Sequence, residues 1–460
     1  MLLMTLIIVA VLCCGFFLMS TEQAHHINRA AVAMVCGVIA WVIYLLNGYD
    51  FVQLMHGDEY REFLAGAAST ATSVKFFVAE HVITRYITNA CSVILFLIAT
   101  NTILEVLHNN GVFDSLLYWL RMRNSRAFLW TISLLTFAIS ANVDNLTTVV
   151  LMMSLMTQIV RNHYQRIIYA CTIFVSASLG GCFTVIGDMT SLMLWVREFV
   201  TPSAYAAGLF LPSFASLCVF NLLIGMKLHG RVEIYSALSR FHGDDSSLAP
   251  WQKILLLVLG IVGLWFIPSF HYITKLPPFL GSLSVLALIW AVEGLCNLER
   301  NGNVLLVQRH YFRTTEFVGM RLILYFLGVS LGMGALVECG ALDFVGNWLE
   351  SSINNVYIYG GVLGLLSSVL DNVPLMMLGM NLFPFDSAAD AVSPFALNGI
   401  YWQLLSFCCA FGGSLLFIGT MAGQAVLEVE KIRFKWYIRH YLWRTLVAWI
   451  VGIGVFWLTH

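Results

Sequence analysis

Charge is what this sequence is short of. Of its 460 residues only 11% are Asp, Glu, Lys or Arg, against about 25% in an ordinary soluble domain. Too few charges remain to coat a soluble fold of this length. The scarcity excludes a soluble enzyme, a disordered chain and a nucleic-acid binder, and the near-zero net charge says nothing further about partners. No CxxC pair or Cys/His cluster is present. The eleven cysteines, among them Cys13, Cys14, Cys171, Cys408 and Cys409, sit mostly inside apolar runs and read as small apolar residues rather than disulfides or metal ligands. Hydrolase signatures are missing too. There is no HExxH and no GxSG, and Val185-Ile-Gly-Asp188 lacks the first glycine of the GxGD element that would accompany Tyr49-Asp50 in an intramembrane aspartyl protease. The apolar stretch from Met1 to Met19 has no basic leader and is expected to be a retained helix.

Hydrophobicity fills the space that charge leaves. Hydrophobic residues make up 59% of the chain and the mean hydropathy is +0.83. The apolar residues come in long unbroken runs rather than in alternation, which marks an all-α polytopic membrane protein and not a transmembrane barrel. Apolar windows fall near 2–19, 30–46, 86–107, 127–160, 167–200, 206–226, 251–268, 278–296, 318–338, 356–383, 400–430 and 441–459. Two of them have a polar tip in the middle. In 127–160 the tip holds Asn142, Asp144, Asn145, Thr147 and Thr148, and the arms of 17 and 14 residues reach roughly 25 and 21 Å, short of a bilayer core of about 30 Å. In 356–383 the tip is Asp371-Asn372-Val373-Pro374. Both read as re-entrant hairpins, leaving about ten transmembrane helices.

Basic residues set the orientation. Arg121, Arg123 and Arg126 precede the first hairpin and Arg161 and Arg166 follow it, so both its ends are expected at the cytoplasmic face. The second is flanked by Glu350, Asn354, Asn355, Asp386 and Asp390 without a Lys or Arg, so its ends are expected outside. Threading the spans this way puts both termini outside. The outer segments then hold Arg61, Lys75, Arg85, Arg197 and Lys275, and the cytoplasmic segments and helix ends hold the rest of the 24 basic residues.

Three landmarks recur in order. Glu105 to Gly111, Asp114 and Trp119 parallels Glu338 to Gly340, Asp343 and Trp348. Asp144-Asn145 parallels Asp371-Asn372. Gly180-Gly181 to Ile186-Gly187-x-Met189 parallels Gly412-Gly413 to Ile418-Gly419-x-Met421 at identical internal spacing. With opposite flanking charge, the halves read as inverted repeats, a pattern typical of secondary transporters whose ion site lies where the helices are interrupted. The domain reading follows: scaffold helices in 1–85, one repeat in 86–226, a linker with central scaffold helices in 227–317, and the inverted repeat in 318–460. The glycines are expected to unwind two broken helices and free backbone carbonyls; close helix packing through small residues is the plainer alternative.

Five carboxylates fall inside these apolar segments or at their tips: Glu105, Asp144, Asp188, Glu338 and Asp371. Insertion scales put an ionised side chain at mid-helix at about 3 kcal/mol, so the five would cost on the order of 15 kcal/mol. No Lys or Arg lies within the same segments. Such a cluster must be neutralised by protons or by a cation. Asn145, Asn372, Thr147, Thr148, Thr190 and Ser191 add neutral oxygens, a donor set suited to Na+, with Asp144, Asn145, Asp188, Asp371 and Asn372 as its expected ligands. The plainer readings are helix capping for the aspartates and an interfacial position for Glu105, Glu338 and Glu293.

In these same residues the chain resembles the NhaD family of Na+/H+ antiporters, within the ion-transporter superfamily. The resemblance rests on Val143-Asp-Asn-Leu-Thr-Thr148, on Gly180-Gly-x-x-x-x-Ile-Gly-Asp188-Met-Thr190 with Met193-Leu-Trp195, and on Asp371-Asn-Val-Pro374. Gly412-Gly-Ser414 to Gly423, Glu430-Lys431 and Ile27-Asn-Arg-Ala-Ala31 extend it over most of the chain. Ser178 stands where the family carries Asn, Val185 where it carries Pro, and Ala99-Thr100-Asn101 departs from the pattern before the glutamate. The resemblance implies an elevator-type homodimer in the cell inner membrane, without a cofactor, whose hairpins and broken helices move together and whose site also draws on Ser414 and Thr420. It implies exchange of internal Na+ or Li+ for external H+. Na+-coupled uptake of a dicarboxylate-like anion is the alternative, against which stand the paired tip aspartates and the lack of an intramembrane arginine.

Overall fold

The computed structural model describes residues 1–66, 68–115, 120, 122–228, 230–234, 248–298, 315–353, 355–386 and 393–460. Trp119, Arg121, Asn354, Asp390 and residues 229, 235–247 and 299–314 of the 227–317 stretch lie outside them. The described residues are helical, with three isolated bridges and no strand ladder among them. In chain order the principal helices are α1 (Leu2–Ser20), α2 (Arg29–Leu46), α3 (Gly48–Leu64), α4 (Ala71–Asn109), α5 (Ser125–Ser140), α6 (Asn145–Ile159), α7 (His163–Gly181), α8 (Met189–Val196) and α9 (Pro202–Gly225). They continue as α10 (Pro250–Thr274), α11 (Pro278–Leu298), α12 (Thr315–Glu338), α13 (Ala341–Ser352), α14 (Val356–Ser367), α15 (Asn372–Met380), α16 (Ile400–Gly412), α17 (Met421–Glu430) and α18 (Phe434–Thr459).

Among the described residues eight helices are long and apolar enough to cross a membrane: α1, α2, α4, α9, α10, α11, α12 and α18. The chain is therefore an all-helical polytopic membrane protein. The windows 167–200 and 400–430 are not single helices. Each splits in two, α7 from α8 across residues 182–188 and α16 from α17 across residues 413–420. The windows 127–160 and 356–383 fold as helix pairs of 16 and 15 residues (α5, α6) and of 12 and 9 residues (α14, α15). At 1.5 Å per residue these four helices measure roughly 24, 23, 18 and 14 Å, each short of the hydrocarbon core.

Asparagine starts many of these helices. The side chains of Asn28, Asn124, Asn162 and Asn355 each accept the N–H two residues on, at 2.9, 3.0, 2.9 and 2.9 Å. This satisfies a donor that the first helical turn leaves free. α4 begins fifteen residues before its expected apolar window, because Thr70 and Ser73 form a capping box that nucleates it in a more polar stretch.

The helices sort into two groups by what they pack against. α2 lies along α1 and α12; α4 lies along α11 and α12; α10 lies along α11, and α3 and α13 join this first group. In the second group α5 and α6 pack on α7, α14 and α15 on α16, α9 on α18, and α17 on α6 and α7. The groups meet chiefly where α12 touches α15 and where α8 touches α4.

Candidate functional site

The two helix-pair tips and the two helix breaks point at one another. At the first tip α5 ends at Ser140 and Asp144 turns into extended backbone (φ −48°, ψ 141°) to open α6. Its Oδ2 accepts the Leu146 N–H at 3.1 Å. Asp371 repeats the arrangement (φ −57°, ψ 147°), and its Oδ1 accepts the Val373 N–H at 3.3 Å. The capping role is therefore realised at both tips. It uses one oxygen of each carboxylate and leaves the other for something else.

Asp188 sits at the first helix break, at the start of α8, and makes no side-chain cap. The Asn145 amide donates to its Oδ1 at 2.9 Å, and the Thr190 hydroxyl donates to its Oδ2. Ser191 donates to its backbone carbonyl at 2.9 Å. Asn145 is itself held by the Ser140 hydroxyl, which donates to its Oδ1 at 2.8 Å. The break must run this close to the tip: a Cβ at Gly181 would stand 2.2 Å from Asn145 Oδ1, and one at Gly187 would stand 2.5 Å from the Ser140 carbonyl oxygen.

The second break makes matching contacts. A Cβ at Gly419 would meet the Ser367 carbonyl at 2.4 Å. Ser140 donates to Ala177 O, and Ser367 to Cys409 O, both at 2.8 Å. Tyr205 donates to Cys182 O, and Tyr437 to Ser414 O, both at 2.8 Å. Counted from the tip aspartates and from Gly187 and Gly419, these partners occupy the same positions. The chemistry differs at one of them, where Thr420 replaces Asp188 and caps the Gly423 N–H at 3.1 Å.

A narrow cleft joins these elements; Asp144, Asn145, Ser178, Asp188, Asp371, Asn372 and Thr420 line it together with Leu322 and Tyr325 of α12. The three aspartates are 6%, 4% and 9% exposed, so their charges face the cleft and not bulk water. They do not converge on one point: among the described residues no three His, Cys, Asp or Glu side chains are grouped closely enough to hold a resident metal ion. The tip of the first hairpin also reaches the first helix group. Thr147 donates to Asn101 Oδ1 of α4 at 3.1 Å, and Trp265 of α10 donates to Asn142 Oδ1 at 2.5 Å.

The structure overturns one expectation outright. One of the intramembrane aspartates does have a basic partner: Arg29, at the start of α2 and 3% exposed, donates from Nη1 to Asp371 Oδ2 at 2.8 Å. In sequence it reads as a cytoplasmic flank, because a lone arginine before an apolar run usually is one. Glu293, expected at the interface, is 5% exposed and accepts from the Asn110 amide at 2.7 Å. Neither Glu105 nor Glu338 lines the cleft. Glu105 lies one turn beyond Asn101 on α4, while Glu338 accepts from the Tyr86 hydroxyl at 2.8 Å and stands 2.8 Å from His56 Nε2. Thr148 points back to Val143 O at 3.4 Å and Ser414 to Phe411 O at 2.7 Å, so both hydroxyls serve the local backbone. Sequence reasoning missed Ser140, Tyr325 and Arg29. For Arg29 a signal existed, since Ile27–Ala31 is one of the stretches that carry the family resemblance.

Comparison with known proteins agrees with this architecture. A family model described as citrate transporter (CitMHS) matches residues 4–402. The chain is 28% identical over 451 residues to sodium/proton antiporter 2 of Arabidopsis thaliana, covering 97% of each. It is 26% identical over 442 residues to the Na+/H+ antiporter NhaD of Vibrio parahaemolyticus, covering 89% of this chain and 95% of that one. It is 24% identical over 472 residues to the NhaD antiporter of Alkalimonas amylolytica, covering 98% and 90%.

Proposed function

Since the chain belongs to the citrate-transporter (CitMHS) family, we propose, on that premise and on its cleft, that it is a secondary Na+/H+ antiporter. Na+ or Li+ and protons compete for Asp144 and Asp188. The observation that carries this reading is the Asn145 amide bridging from the hairpin tip to Asp188 at the helix break, which holds two buried carboxylates in one cleft. Asn145, Thr190 and the unwound backbone of residues 182–188 supply neutral oxygens, and carboxylate with neutral oxygen suits a hard monovalent ion. Glu105 and Glu338 are left out of the binding set because they do not line the cleft.

An ionised, empty pair of carboxylates is costly to carry through a low-dielectric barrier. A Na+ ion or protons remove that cost. Only a loaded site then moves, and movement in opposite directions with different loads is exchange. The second helix group is the moving part and the first the scaffold. The two helix pairs are re-entrant, the two halves are inverted repeats, both termini face outward, and the protein works as a homodimer in the cell inner membrane. The equivalent contacts made by Ser140 and by Ser367, by Tyr205 and by Tyr437, and at Gly187 and at Gly419 support the repeat. Anion uptake is less well supported: the cleft is lined by three aspartates, and the charge of Arg29 is already engaged by Glu22 and Asp371.

Proteoliposomes with an imposed pH gradient test the reading. Added Na+ or Li+ should collapse the gradient and K+ should not, and Asp144→Asn and Asp188→Asn should each abolish the response. Full Na+-driven flux in both variants would sink the assignment.

A further inference from the structure

The two hairpin tips occupy equivalent positions, yet they face opposite charges. Asp144 faces the cleft with Asp188 and has no basic side chain within ion-pair distance among the described residues. Asp371 faces Arg29. The arginine is engaged on two sides here: Nε donates to Glu22 Oε2 at 2.8 Å, Nη1 donates to Asp371 Oδ2 at 2.8 Å, and the guanidinium carbon stands 5.7 Å from the Tyr325 ring centroid, while Nη2 is buried without a hydrogen-bond partner. Arg29 opens α2 and Tyr325 lies on α12, both in the first helix group, whereas Asp371 opens α15 in the second. The ion pair therefore crosses the boundary between the groups. By contrast, Arg166 with Glu430 stays within the second group and His56 with Glu338 within the first.

We propose that Arg29 is a tethered counter-cation that takes, at Asp371, the place a transported ion takes at Asp144 and Asp188. Exchange then involves two carboxylates and not three. A guanidinium is effectively always protonated, so Arg29 neutralises Asp371 for as long as the two groups are latched and carries no proton itself. It also senses the load. With Asp144 and Asp188 ionised, their negative charge adds to the hold of Asp371 on the guanidinium and the two groups stay latched. A cation or protons at Asp144 and Asp188 remove that charge and loosen the latch. This rests on the antiporter reading above and adds the residue that links loading to movement.

The test compares the full-length protein with Asp188→Asn, Asp371→Asn, Arg29→Gln and the double variant Arg29→Gln/Asp371→Asn. Na+ binding is read by titration calorimetry in detergent, and Na+ and H+ fluxes are read separately in proteoliposomes. The double variant buries no lone charge. It should bind Na+ within about threefold of the unsubstituted protein, while Asp188→Asn weakens binding by about 30-fold or more. The double variant should also leak, passing Na+ without the matching protons. Loss of Na+ binding in the double variant as deep as in Asp188→Asn would make Asp371 an ion ligand and overturn the proposal, as would tight coupling in the double variant. Arg29→Met/Asp371→Leu repeats the comparison if the amide pair does not fold. Absence of exchange in the unsubstituted protein would sink the antiporter reading instead, and the binding comparison would still judge Arg29.

Discussion

Asn145 and Asp188 are 43 residues apart in sequence and 2.9 Å apart in the fold, with the amide of the hairpin tip donating to the carboxylate of the helix break. Ser140 fixes the other end of that amide at 2.8 Å. Asn145→Ala would take the amide donor away from buried Asp188 Oδ1, while the Ser140 hydroxyl keeps its bond to Ala177 O. Losing a hydrogen bond to a charged group costs about 1.5–3 kcal/mol. The apparent KM for Na+ in proteoliposomes should therefore rise by about 10- to 100-fold. An unchanged KM would mean that the amide does not shape the ion site.

Thr190 holds the second oxygen of Asp188 through its hydroxyl. Thr190→Ser keeps the donor and should keep Na+ affinity. Thr190→Val keeps the shape, removes the donor, and should weaken Na+ binding about tenfold, in line with a hydrogen bond to an ionised group. Calorimetric titration of the two variants separates these outcomes. Equal affinities would assign the threonine to packing.

Gly187 and Gly419 test whether the two breaks are built alike. A methyl group at either one would press on a backbone carbonyl, Ser140 O at 2.5 Å or Ser367 O at 2.4 Å. Backbone cannot swing aside as a side chain can, so Gly187→Ala and Gly419→Ala should each cost about 1–3 kcal/mol. Thermal unfolding in detergent should show both melting several degrees lower. Gly454→Ala is the control, since nothing stands within 4 Å of its added methyl. A normal melt for either of the first two would remove the steric argument at that break.

What was legible in advance follows from one kind of signal. A polar residue inside an apolar run is conspicuous, so Asp144, Asp188, Asp371 and the glycine pairs stood out, and with them the helix breaks. Partners on other helices leave no such trace. Arg29 lies 342 residues from Asp371, and its position before an apolar run is the position of an ordinary membrane flank. Glu293 reads as interfacial from its place near the end of an apolar run, and only the packing of α11 against α4 brings Asn110 to it. Hydropathy reads which segments are buried; it carries no information about which helix a buried side chain meets.

His56 carries the clearest pH dependence. It sits in α3, which is not one of the long apolar helices, at a kink in that helix (φ −134°, ψ 32°). Its Nε2 stands 2.8 Å from Glu338 Oε2 and its Nδ1 stands 3.2 Å from Glu59 Oε2. The hydrogen bond to Glu338 is the largest influence and raises the imidazole above its ordinary value of 6.5; partial burial opposes it, the charges of Glu338 and Glu59 add to it, and Arg85 subtracts. A group whose pKa is raised by folding contributes its stability fully below the unfolded value and loses it as pH climbs through the folded one. The contact between α3 and the end of α12 should therefore hold in mildly acidic solution and loosen in alkali. Hydrogen exchange across residues 48–64 should speed up as pH rises from about 6 to about 9, once intrinsic rates are divided out. His56→Gln should flatten that dependence while leaving exchange at the ion site as it was. A flat profile in the unsubstituted protein would mean that the His56–Glu338 contact does not depend on the imidazole charge.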